Sequence, residues 1–288
     1  MSRVPTRPVA LLAAIGLSAC LATKVAPYGD LRILTSGDTA VEAGFAGSDL
    51  VDGWAITFSR FLVNVGGVAI GEEAASVITL GDGAFALVDQ VHSGQKIVAV
   101  ANDVAARAWP AFSFSVRPAR ASSLVGDGAL TADLARMRAL GASLLVQGSA
   151  SKDGVTKSFE WPFTQTVVYE NCQVTAGGRT VRGLTIGEGA ATDVELTIRA
   201  QPFFEDNLGT LRPNLRFEPF AAADRDNDGI VTLTELAAVN LRDVRTRFGN
   251  YATGGASEIV TLADYLRAQA VRVGAFRGVG TCQARRVP

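Results

Sequence analysis

From Trp54 onward apolar and polar residues alternate. Trp54, Ile56 and Phe58 stand against Ala55, Thr57 and Ser59, and Phe61, Val63 and Val65 resume the pattern after a phase slip at Ser59-Arg60. A period of two marks a strand with one buried face, and the slip predicts a bulge or bend. Similar runs lie at 96–100, 112–116, 143–147, 158–161, 166–174 and 194–198, and the less periodic stretch 21–53 reads as a tether followed by one short strand near 31–34. Gly66-Gly67, Gly81-Asp82-Gly83, Asp153-Gly154 and Gly177-Gly178 supply turns between many of them. Many short strands with glycine turns and no βαβ alternation predict a mainly β fold, an antiparallel sandwich or barrel.

Helical spacing is local. Residues 132–140 place Leu134, Met137 and Leu140 on one stripe, with Thr131 as N-cap. A second helix is expected after Thr232, carrying Leu233, Leu236, Val239 or Asn240, and Leu241, with Gly249 as its stop. A third opens at Thr261, with Asp264 at capping-box distance and Leu262, Tyr265 and Leu266 on one side. The C-terminal portion is therefore expected to be helical.

The first residues, MSRVPTRPVALLAAIGLSAC, have the three parts of an export signal: Arg3 and Arg7, an apolar run at 9–17, and small residues before Cys20. As a helix the run rises only about 13 Å, far short of the roughly 30 Å core of a bilayer, so it does not span. Leu17-Ser18-Ala19-Cys20 resembles the lipobox of bacterial lipoproteins. The resemblance implies removal of 1–19, lipidation of Cys20 and anchorage in the cell envelope, with the outer membrane expected. The plainer alternative is an ordinary signal peptide with an incidental cysteine.

Removal of that segment leaves 25 basic against 28 acidic residues, too little field to draw in nucleic acid. Two further cysteines remain, Cys172 and Cys282. In an exported chain a disulfide is the default reading, and closing a loop of 109 intervening residues is worth at most about 4.7 kcal/mol. A catalytic or metal-binding thiol, the alternative, lacks a nearby His and a CxxC spacing.

One segment carries chemistry. Asp224-Arg-Asp226-Asn-Asp228-Gly229-Ile230-Val231-Thr232-Leu-Thr-Glu235 fits the spacing D-x-[DN]-x-[DN]-G-x5-E and resembles the calcium loop of EF-hand proteins. Calcium is a hard cation that takes six to eight oxygens, about 2.3 to 2.6 Å away. The resemblance implies carboxylate ligands from Asp224, Asp226 and Asp228, a backbone carbonyl from Ile230, a contact through water from Thr232, and both oxygens of Glu235. Gly229 permits the turn, and Val231 matches the apolar eighth position, which the resemblance implies anchors the loop to the core. Thr232 and Glu235 also have capping-box spacing, so calcium binding and the start of the next helix are expected to be coupled. A solvated acidic turn without an ion is the bland alternative. Upstream, Pro219 limits the entering helix to about one turn. No second loop of this pattern occurs, so calcium is expected to act as a staple and not as a switch.

Other constellations are thin. With His92 as the only histidine, no HExxH, three-His zinc or two-His iron site can be assembled, and His92 reads as a surface residue. No GxSxG, Walker A or GxGxxG motif occurs. Glu72-Glu73 reads as a solvated edge, and as the carboxylate of a hydrolase only at a stretch. Trp109-Pro110 and Trp161-Pro162 either plug the end of a core or form a ligand platform. The strand order Trp54-Ala-Ile-Thr-Phe-Ser-Arg-Phe-Leu-Val-Asn-Val, then Val104-Ala-Ala-Arg-Ala-Trp-Pro-Ala-Phe-Ser-Phe-Ser-Val, is similar to the periplasmic copper-binding family encoded beside methanobactin uptake genes. That family binds copper through histidines and a modified tryptophan. One histidine cannot carry that site over, which leaves the sandwich scaffold.

The expected organisation is a signal peptide at 1–19, a lipidated N-terminus and tether at 20–53, a β-rich body at 54–214, an EF-hand segment at 215–250, and a C-terminal helix and tail at 251–288 packing on the body. The expected function is non-enzymatic: a lipid-anchored calcium-binding envelope protein with a protein or glycan ligand. A copper-related envelope protein and a carboxylate-dependent hydrolase are its rivals.

Overall fold

The computed structural model describes residues 27–73, 77–209, 212–244, 247 and 249–287. The export signal and Cys20 lie outside them. The strands that carry the architecture are β1 (Tyr28–Gly37), β2 (Ala55–Gly71), β3 (Phe85–Asp89), β4 (Lys96–Ala105), β5 (Ala111–Val116), β6 (Leu144–Lys152), β7 (Val155–Phe163), β8 (Thr166–Ala176), β9 (Ala191–Ile198), β10 (Ile230–Thr232), β11 (Gly274–Phe276) and β12 (Thr281–Val287).

They build two main sheets. The smaller has four strands in the order β11-β9-β1-β4. The larger has eleven; β8-β5-β2-β6-β7-β10 runs through it, with β3 beside β2 and β12 beside β8. The expected mainly β fold is present and is sandwich-like, with no closed barrel among the described residues. Pairing is mostly antiparallel, but β1 runs parallel to β9 and β10 parallel to β7. Leu31 and Ile33 of β1, Val194 and Leu196 of β9, Phe61 and Val63 of β2 and Phe112 and Phe114 of β5 are buried in one shared core. Each such side chain contributes about 1.5 to 3 kcal/mol on burial.

The phase slip in β2 is real: its register against β6 shifts between Phe58 and Arg60. Three expectations need correction. The segment over 20–53, read as a tether with one short strand near 31–34, carries in β1 a ten-residue strand between β9 and β4, followed by helix α1 (Thr39–Ala43) capped by Asp38. Only the first half of β1 alternates; its last five residues are all buried, which hides it from a period-two reading. Helix α2 (Thr131–Ala139) lies where it was expected, but Leu130 is its N-cap, with Asp133 accepting from Leu130 N at 2.9 Å. The helix after Thr232 ends early. Asn240 accepts a hydrogen bond from Arg242 N at 3.0 Å and starts a separate 3-10 turn, a local competitor to helix continuation.

The C-terminal third shares the core of the body. Phe159 and Trp161 of β7 stack at 4.4 Å, Trp161 meets Phe220, Phe220 meets Tyr251, and Tyr251 meets Tyr265 edge-on at 4.8 Å. This aromatic line joins the larger sheet to the last helix.

Candidate metal centre

The approach to the acidic loop is short. Helix α3 (Glu218–Ala221) is one turn long, as Pro219 implied. Its N-terminus is capped from afar: the buried Asp52 carboxylate accepts from Phe217 N and Glu218 N, both at 2.7 Å. Asn227 and Gly229 then adopt positive φ, 57° and 83°. A side chain at Gly229 would meet no neighbour, so the left-handed backbone alone is what asks for glycine there. Asp224 accepts from Gly229 N at 3.0 Å, Asp226 from Asp228 N at 3.2 Å, and Asp228 from Ile230 N at 2.7 Å. Strand β10 follows and docks on the edge of the larger sheet, pairing Ile230 with Ser158, Val231 with Phe159 and Thr232 with Glu160. Trp161 Nε1 donates to Val231 O at 3.0 Å, and Val231 is wholly buried.

Helix α4 (Leu233–Ala237) starts on a reciprocal cap. Thr232 Oγ1 accepts from Glu235 N at 3.2 Å, while Glu235 Oε2 accepts from Thr232 N at 2.8 Å and from Thr232 Oγ1 at 2.9 Å.

Of the residues expected to ligate, three come together. Asp224, Asp226 and Glu235 each offer a carboxylate oxygen, all within 4.8 Å of one another. The Asp224 side chain is fully buried. Asp224 Oδ1 and Glu235 Oε1 are buried oxygens with no hydrogen-bond partner. Leaving buried polar atoms unsatisfied is costly, and two such oxygens beside a third carboxylate suit a hard divalent cation. Asp228 stands apart, exposed, with one oxygen committed to Ile230 N. Thr232 spends its hydroxyl on the cap, and Ile230 contributes to β10.

Lys157, on β7, was not singled out by the sequence. Its ammonium donates to Asp224 Oδ2, the oxygen that also takes Gly229 N. The hydrogen bond from Lys157 outweighs burial and holds the Asp224 carboxyl below the usual carboxylate range. No motif could have named Lys157, because its distance from Asp224 is closed by the register of β10 on β7.

The chain also carries a partial echo of the loop. Residues 230–235 read Ile-Val-Thr-Leu-Thr-Glu and residues 259–264 read Ile-Val-Thr-Leu-Ala-Asp. At the places of Asp224, Asp226 and Asp228 the echo has Thr253, Gly255 and Ser257. Helix α5 (Leu262–Ala270) starts on the same cap: Thr261 Oγ1 accepts from Asp264 N at 3.1 Å, and Asp264 accepts from Thr261 N at 3.0 Å. The echo docks on the chain after α4, Leu241 N donating to Val260 O and Leu262 N to Val239 O. The repeated six residues were the available signal.

Elsewhere, Cys172 on β8 and Cys282 on β12 form the expected disulfide. His92 is exposed, with Nε2 3.9 Å from a buried Asp89 oxygen. Met137 lies in a separate cluster with Leu62 and Leu87. Trp109 and Trp161 are buried, so both serve as core plugs and the ligand platform is set aside. Glu72 pairs with Arg107, and Glu73 is exposed. Among the described residues one group of three or more potential metal ligands converges, the acidic trio. No described helix is long and apolar enough to cross a membrane. Comparison with family models, curated proteins and solved structures finds no match.

Proposed function

We propose that this is a lipid-anchored calcium-binding protein of the bacterial cell envelope, held in the outer membrane through Cys20, in which calcium is a structural staple. The observation that carries the calcium reading is the pair of buried, unpartnered oxygens, Asp224 Oδ1 and Glu235 Oε1, beside Asp226. The staple reading draws on the short entering helix and on β10, which ties the loop to the edge of a sheet on a shared core. The loop thus has little freedom to open a groove. The Cys172–Cys282 disulfide agrees with an oxidising compartment. The body is then a scaffold for an envelope protein or glycan ligand.

Calorimetric titration tests the ion. One calcium per chain should bind with a dissociation constant of about 10⁻⁴ to 10⁻³ M, the range of extracellular modules, and magnesium should bind more weakly because it demands a smaller octahedral shell. No heat from calcium would reject the reading. Intact-mass spectrometry tests the anchor: acyl mass on a chain beginning at Cys20 is expected, and an unmodified mature N-terminus would reject it.

A further inference from the structure

We propose that Lys157 is a built-in counter-charge of the acidic loop, which keeps the loop folded without calcium and sets its calcium affinity low. The inference rests on the calcium reading and deepens it. The Asp224 side chain is fully buried, yet its two oxygens have different neighbours. Oδ2 accepts from both Lys157 Nζ and Gly229 N, whereas Oδ1 has no partner. An ion seated on Oδ1 leaves the lysine in place on Oδ2. Lys157 is held on the sheet side: its neighbour Ser158 donates from its backbone N to Gly229 O at 2.8 Å and pairs with Ile230. The ammonium therefore stays beside the ion in the filled loop.

Two effects follow, and they act in the same direction. In the calcium-free protein the ammonium offsets a buried carboxylate that would otherwise lack a counter-charge, so the loop does not need the ion to stay closed. In the calcium-bound protein the ammonium repels the ion across a few ångströms of partly buried space. A positive charge that favours the empty state and opposes the filled one weakens binding by the coupling between them, and by reciprocity calcium weakens the hold of Lys157 on Asp224. Lys157 is not a ligand here: it holds Asp224 Oδ2 and acts on the ion by charge alone. The result is a preformed, weak site suited to the calcium of an exterior compartment.

The test is calcium titration of the full mature chain carrying K157M, K157Q or K157R, paired with thermal melts in chelator and in saturating calcium. Removal of the charge in K157M should tighten calcium binding about tenfold, lower the melting temperature in chelator, and leave a smaller deficit in calcium. K157R, which keeps the charge, should restore the wild-type affinity. K157Q gives the same comparison if K157M does not fold. A lysine that only packs would lower both melts equally and leave affinity alone; unchanged or weaker binding in the charge-free variants overturns the proposal. If the wild type itself gives no calcium heat, the calcium reading fails first, and that result is seen before any variant is compared.

Discussion

Two segments of this chain close on nearly the same six residues, 230–235 and 259–264, and they collect different chemistry. Both start a helix with a threonine and an acid three residues on, bonded to each other through backbone and side chain. The first gathers Asp224 and Asp226 around Glu235; the second has Thr253 and Gly255 at those places. Their left-handed residues differ too, Asn227 and Gly229 in one and Gly254 and Gly255 in the other. The lesson is that the helix start and the acidic cluster are separate devices that share Glu235: the echo keeps the cap without the cluster. Glu235 ties them: its Oε2 accepts from Thr232 while its Oε1 has no partner, so any effect of calcium on the helix start has to pass through this one side chain.

The largest effects should come from the faces the two helices bury. Tyr265 on α5 is fully buried and donates to Glu205 O at 3.1 Å, so Tyr265→Ala should cost about 3 to 5 kcal/mol. Urea unfolding should give the same loss in chelator and in calcium. Leu236→Ala on α4, also fully buried, should cost about 2 to 5 kcal/mol, with the larger loss in calcium because loosening α4 disturbs Glu235. Equal calcium dependence in the two variants would contradict the separation of the loops.

Next come the acids themselves. On the calcium reading proposed above, Glu235→Gln should remove a stabilisation by calcium of about 1.4 kcal/mol at ten times the dissociation constant, whereas Asp264→Asn should leave that increment intact. Measuring both variants with and without calcium decides whether the ion belongs to the first loop alone. Smaller still are the caps. Thr232→Ala and Thr261→Ala should each cost about 1 kcal/mol in chelator, and a loss confined to Thr232→Ala would mean that the echo's cap contributes nothing.

The smallest difference concerns acid. Burial raises the Asp264 carboxyl, but its bonds from the Thr261 side chain and backbone outweigh this and hold it below its ordinary 3.8. Burial also raises Glu218, which hydrogen bonds from Lys152 and Trp54 and the charge of Lys152 bring below its ordinary 4.5. Carboxylates with depressed folded values stabilise fully above their unfolded values, and the contribution is lost as pH falls through the folded ones. Stability should therefore hold above about pH 5 and decline below it. Asp264→Asn should shallow that decline without altering calcium dependence, as pH-dependent melts in chelator would register.

Much of this was legible in the residues. Alternation in the first part of β2 announced both the sheet and its bulge, because over 55–60 one face is more buried than the other, whereas from Phe61 to Gly66 both faces are covered and only the residue types alternate. The second half of β1 escaped because both faces are covered. The loop was legible from the spacing of its acids, yet Asp228 falls outside the converging carboxylates, and one of its oxygens accepts from Ile230 N instead. Lys157 was illegible, and so was Asp52 as a cap, because each reaches its partner through a fold that brings distant segments together.

Whether calcium is felt as stability is settled by thermal melts of the wild-type protein in chelator and at a free calcium of about ten times its dissociation constant. The account predicts a rise of about 3 °C for a linkage of this size, absent in Glu235→Gln. Identical melting temperatures for the wild type in the two conditions would contradict the staple.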